Sequence, residues 1–259
     1  MSTYRNANHV TTKIGGHGAG WKGSQGIYEE SSTPKHPIGE KIELADGRVF
    51  RYGYTAAAAN AGLLVAQDLS STALVETDDS IIAAAGRFSI SAGSKAIQVT
   101  IASITANDYA GGLLQITDDD GEGIQYRIKS NSATDETTSG KVDIDLLDPL
   151  KVAVTTSSDI AIVGGLWYNV RGASATDYVI SGVTPIAFTA NYYGWLQTAG
   201  IALVLADGTI AVGDNLTLSD GVTGAVQLKD AETEPRVGFA CYAPDNTGHV
   251  GVVLQGLVT

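Results

Sequence analysis

The residues of this chain that could do chemistry are few and scattered. Gly18, Gly20 and Gly23 spell G-x-G-x-x-G, a dinucleotide-binding turn when a strand precedes it and a helix follows. Here no strand pattern precedes it, Ser24 to Tyr28 open no apolar helix, and no βαβ alternation exists, so no cofactor is expected. The four histidines, His9, His17, His36 and His249, stand at no zinc spacing from one another or from Cys241. Cys241 with His249 as its base would make a thiolate nucleophile. Cys241 stands, however, in the apolar run Val237, Gly238, Phe239, Ala240, where a small buried hydrophobe is the ordinary role. Asp118, Asp119, Asp120 and Glu122 around Gly121 could gather Ca²⁺, but Ile116 breaks the ligand alternation before the glycine, and a solvated hairpin turn is expected. Asp143 and Asp145 share one face of a strand and have the types for paired acid–base work. Carboxylates alternating along an amphipathic strand are more simply its wet face. Asn215, Leu216, Thr217 is a glycosylation sequon by spelling, without an export signal to make use of it. The expectation is a protein with no catalytic residue, no cofactor and no metal.

Aromatic residues offer recognition instead of catalysis. Trp167 with Tyr168, and Tyr192 and Tyr193 with Trp195, form two clusters suited to a core, a subunit interface or stacking on sugars. A subunit interface is the role expected of them as functional residues.

The elements that would position these groups read as strands. Glycine supplies 31 of 259 residues and charged residues only 17 %, while Ala, Thr, Val and Ile are plentiful, as in a protein of short strands and frequent turns. Lys41 to Leu44, Asp46-Gly47, and Arg48 to Tyr52 form a hairpin signal. Ala56 to Ala59 permit at most one helical turn, because Asn60 and Gly62 follow at once. Ile97, Val99 and Ile101 alternate with polar residues. From Leu113 to Leu146 three alternating segments predict a meander, with Ile124, Tyr126 and Ile128, then Val142, Ile144 and Leu146, on one face. Leu-x-Asp-Gly recurs at Leu44, Leu205 and Leu218 and reads as turn grammar. The predicted class is mainly β, a short-stranded sandwich or barrel. An extended N-terminal arm would span residues 1–38, a first β domain 39–182 with its middle part a possible insertion, and a second β domain 183–259.

Charge is unevenly placed. Residues 1–28 carry Arg5, Lys13 and Lys22 and no acid, whereas residues 61–170 carry 15 acidic against 6 basic side chains, and the whole chain has net charge −12. An acidic body repels nucleic acid, whose binding depends on phosphate neutralisation. No run of about 18 apolar residues suggests a membrane span. The single Cys241 excludes an intrachain disulfide.

The run from Ala190 carries Gly194, Trp195, Gln197 and Gly200, then Val212, Gly213, Asp214 and Leu216, then Val237, Gly238 and Ala240. It resembles the C-terminal part of tailed-phage capsid decoration (cement) proteins, and Gly39 to Gln67 likewise looks like phage virion sequence. Together these stretches cover roughly 40 % of the chain and leave residues 68–182 without a counterpart. The resemblance implies a virion protein made in the host cytoplasm, a homotrimer on the capsid exterior whose partner is the major capsid protein, with no catalytic residues. Tyr4, Arg5, Lys13, Trp21 and Lys22 would then bind the capsid. A tail-fibre or receptor-binding protein that contacts host glycans is the alternative.

Overall fold

A computed structural model describes residues 25–68, 75–81, 88–101, 104–135, 140–177, 179–243, 248–255 and 257. It is all-β, with no helix among the described residues. The chain opens with β1 (Lys41–Glu43), β2 (Val49–Thr55) and β3 (Leu64–Gln67). Six strands follow: β4 (Val75–Ser80), β5 (Ala96–Thr100), β6 (Leu113–Ile116), β7 (Gln125–Asn131), β8 (Lys141–Leu146) and β9 (Asp159–Val163). The last seven are β10 (Val170–Gly172), β11 (Ile180–Val183), β12 (Tyr192–Leu205), β13 (Asn215–Leu218), β14 (Val226–Leu228), β15 (Gly238–Tyr242) and β16 (His249–Leu254).

Two compact units result, one from residues 1–67 with 169–259 and one from residues 68–168. The expected boundary at residue 182 therefore falls inside β11. What reads as a composition change at Pro185 is the turn between β11 and β12. The second unit lies within the stretch 68–182 that has no counterpart in the resemblance, and the pairing that closes the first unit around it, β2 with β12, joins residues about 140 positions apart.

In the discontinuous unit β12 does double duty. Its first half closes a five-stranded ring, β2-β10-β3-β11-β12, which returns to β2 through pairs such as Trp195 with Tyr52. Its second half begins another sheet, β12-β16-β15-β13-β14, and a parallel bridge from Val226 to Ala206 brings β14 back to the end of β12. The break between the halves is a bulge between Gln197 and Ala199, braced by Gln197 Nε2 donating to the carbonyls of Ala199 and Ile201. Gly200 follows with φ +83°, its backbone so near Arg48 that a Cβ would lie 2.9 Å from the Arg48 Cα. Both requirements, positive φ and close approach, favour glycine there. Inside the second sheet Ala202, Val204, Leu216, Val226, Val237, Ala240, Val250 and Val252 pack into one core with Leu64, Ile180 and Val183.

The inserted unit is a six-stranded sheet, β4-β9-β6-β7-β8-β5, with an Ile81–Val99 bridge linking the chain after β4 to β5. The predicted meander is here, β6-β7-β8 in sequence order and antiparallel. Ile97, Val99, Tyr126, Ile128, Val142, Ile144 and Leu146 meet Leu114, Ile160 and Ile162 in its core. The first hairpin also forms as expected, with Lys41 opposite Arg51 and Gly47 at φ +84°. Of the Leu-x-Asp-Gly turns, the third differs. Gly221 does not take positive φ, and the turn runs on to Gly224 at φ +74°.

Residues 25–38 of the expected N-terminal arm lie among the described residues. Residues 25–38 are no free arm; they are tied to the β2–β12 pair. Ser31 forms a bridge with Tyr193, and the Glu30 carboxylate accepts the Thr189 backbone N–H and hydroxyl. Prolines and glycines make this stretch read as extended, and extended it is, but its polar groups find partners on the sheet.

Candidate interaction surface

The second aromatic cluster is the first place to look for a site, and it turns out to be structural. Trp195 and Tyr52 are cross-strand neighbours and wholly buried. Their rings meet edge-on at 5.1 Å between centroids, and His36 packs against both, at 4.9 Å from Trp195 and 5.1 Å from Tyr52. Gln25 satisfies the polar atoms: its carbonyl accepts Trp195 Nε1–H at 3.0 Å and its Oε1 accepts the Tyr52 hydroxyl at 2.7 Å. Gln25 Nε2 in turn donates to the carbonyls of Glu29 and Tyr193. Burial pushes the Tyr52 hydroxyl up to about 12 against a lowering hydrogen bond from the Lys35 N–H, and also raises Tyr193 and Tyr54. His36 Nδ1 lies 3.1 Å from the Glu40 carboxylate.

The expected interface role therefore fails for two residues. Trp195 is core, and Tyr168 is buried with its hydroxyl toward the Ala106 carbonyl at 3.5 Å, so neither presents a ring to a second copy. Trp167, Tyr192 and Tyr193 are half-buried. The two clusters also belong to different units. Tyr4, Arg5, Lys13, Trp21 and Lys22 lie outside the described residues, as do His9, His17 and the Gly18, Gly20, Gly23 motif.

The remaining chemical candidates are engaged in turns and strands. The Cys241 thiol, half-buried where full burial was expected, donates to the Gly251 carbonyl at 3.3 Å. His249 Nε2 is 3.3 Å from the Ala61 carbonyl. Asp119, at φ 63°, accepts the Thr155 hydroxyl, and Asp118 accepts the Asp119 N–H, so the acidic turn uses its carboxylates to hold its own shape. Asp143 accepts from Gln98 Nε2 and Asp145 from the Ser130 hydroxyl along the outer face of β8. Among the described residues no group of three His, Cys, Asp or Glu side chains could hold a metal ion.

A different surface stands out, one the sequence reading passed over. On the second half of β12 and on β16 and β15 the inward positions are core, and the outward positions are apolar as well except His249, at the start of β16 opposite Leu205. Register places Ile201 beside Val253 and Val253 beside Phe239, and in the next row Leu203 beside Gly251 and Gly251 beside Tyr242. Ile201, Leu203 and Tyr242 are 58 %, 60 % and 59 % exposed. A bulge between Ala240 and Tyr242 brings Tyr242 opposite Gly251, where the missing side chain leaves space for it. Beyond Phe239 the wall ends, because Arg236 lies over the Phe239 ring and Pro235 covers β13 by accepting the Thr217 hydroxyl. The signal was legible: Ile201 to Leu205 reads IALVL and Gly238 to Tyr242 reads GFACY, apolar at both parities, the pattern of strands covered on both faces.

No family model, no curated protein and no solved structure matches the chain.

Proposed function

We propose that this chain is a structural virion protein, a decoration or cement protein that binds the exterior of a phage capsid, contacts the major capsid protein, and assembles as a homotrimer. The observation that carries the reading is the uncharged outer wall of β12, β16 and β15. It belongs to the same run of sequence, 190–255, that resembles decoration proteins, and it lies on a chain of net charge −12. Such a wall suits lasting contact with protein better than capture of a nucleic acid or a small polar substrate.

The motif residues behind the resemblance also make physical sense as joints of such a body. Trp195 anchors β12 ahead of its bulge, Gln197 spans the bulge by donating to the Ala199 and Ile201 carbonyls, Gly200 permits the crossing over Arg48, and Asp214 caps the turn into β13 by accepting the Ala211 N–H. Gly238 runs so close to β16 that a Cβ would collide with the Val253 carbonyl. These residues fix turns and close strand approaches in the body, and reinforcement of a shell calls for a body held in one shape.

The test is capsid reinforcement. Purified chain is added to capsids that lack it, unbound protein is removed by sedimentation, and capsid disruption is followed on heating. Co-sedimentation at saturable occupancy with a higher disruption temperature is the expected result. Capsids that neither bind the chain nor gain stability would refute the reading.

A further inference from the structure

We infer that the outer wall of β12, β16 and β15 is a contact surface for a second copy of this chain, with Ile201, Leu203, Val253, Phe239 and Tyr242 at its centre. The inference rests on the homotrimer part of the proposed function for its biological setting, but its physical basis is separate.

The first support is a contrast within the molecule. On the inserted unit, the positions of β7 and β8 facing away from the core are Gln125, Arg127 and Lys129, and Lys141, Asp143 and Asp145. Those strands follow the ordinary rule of a sheet with one wet face. The three wall strands break it, since six successive outward positions across two rows, Ile201, Val253, Phe239, Leu203, Gly251 and Tyr242, include no charged side chain. Leaving such residues in water forfeits their transfer free energy, and a strand under no other demand would alternate.

The second support is charge. Each copy carries −12, so two copies repel wherever their acids face each other. The two rows named above carry no carboxylate among the described residues, so a second copy seated on them sets its acids against none there, and Arg236 lies over the Phe239 ring at one end. The size also fits: the exposed parts of Ile201, Leu203 and Tyr242 with the half-buried Val253 and Phe239 amount to on the order of 300–400 Å². That is the apolar centre of an interface that takes about 800 Å² from each partner, the rest being polar rim.

Sedimentation of the full-length chain alone, without capsids, tests the assignment. The expected mass is a multiple of the 26.8 kDa chain in the micromolar range. It should hold or grow as salt is raised, because salt screens repulsion between acidic copies and leaves an apolar contact intact. The double substitution Ile201→Glu with Leu203→Glu should reduce the mass to that of one chain, while Val163→Glu, at an exposed apolar position of the inserted unit, should leave it unchanged. Should the double variant fold poorly, hydrogen exchange of the unaltered chain decides instead: raising concentration must protect 201–203 and 239–253 selectively. A single-chain mass throughout, an unchanged mass in a folded double variant, or concentration-dependent protection confined to other segments would overturn the inference. Failure to bind capsids would leave it standing, so the two readings fail separately.

Discussion

Gln25 sits buried against Trp195 and Tyr52, with its side-chain amide and its carbonyl all hydrogen-bonded, and this one residue shows how the N-terminal segment is fastened. Removing the side chain leaves the Tyr52 hydroxyl without its acceptor in a place water does not reach. Gln25→Ala should therefore cost about 1–3 kcal/mol, the ordinary penalty for orphaned buried polar groups, read as a lower urea midpoint with unchanged slope. Tyr52 adds a pH dependence whose direction follows from its burial. The folded chain holds this proton up to about 12, whereas an unfolded tyrosine releases it near 10, so the stabilising difference is intact below pH 10 and is lost as pH rises toward 12. Denaturant melts across that window should weaken in step with tyrosinate absorbance, and a stability independent of pH there would show that Tyr52 is solvated. None of this was readable beforehand. Gln25 and Tyr52 are 27 positions apart and Gln25 and Trp195 are 170 apart, and a polar residue in a Gly-rich stretch looks solvated until its partners are known.

Strands β15 and β16 depend on closeness at Gly238, where any Cβ would strike the Val253 carbonyl. Gly238→Ala should push these strands apart and cost more than the few tenths to 1 kcal/mol that alanine would otherwise return by stiffening the unfolded chain, giving a net loss measurable by thermal melting. At this scale the legible parts were those whose grammar is local. The Asp46-Gly47 hairpin and the β6-β7-β8 meander follow from turn residues and period-two alternation, which neighbours in sequence decide. The long strand β12 was not legible as one element, because its bulge at Gln197 and its two different partners, β2 and β16, are settled by distant chain. The apolar wall was written in IALVL and GFACY, but double-faced apolar strands read as interior, and only the register shows that one face is open.

The whole molecule is one discontinuous β body and one inserted β unit with separate cores. The insertion holds 15 of the 28 acidic residues and 6 of the 16 basic ones, so most of the net charge resides there. Its ends enter beside each other, since Gln67 at the end of β3 pairs with Val170 at the start of β10. Replacing 68–169 by Asn-Gly should turn β3 and β10 into a hairpin and leave a folded, strand-rich protein with a cooperative melt. An unfolded product would show that the body needs its insert. The N-terminus is to be cut with the Gln25 anchor in mind. Deleting residues 1–24 removes Tyr4, Arg5, Lys13, Trp21 and Lys22, should leave the fold stable, and on the decoration reading should weaken capsid binding, as added salt should for the full chain. Deleting 1–28 would also remove the acceptors for Trp195 and Tyr52 and confuse binding with folding. The most direct test of the decoration reading is the number of copies on a purified virion, counted by quantitative mass spectrometry against the major capsid protein. A decoration protein gives copies in proportion to the capsomers, in multiples set by the shell's symmetry. A handful of copies per particle, as for a tail fibre, or none at all, would contradict it.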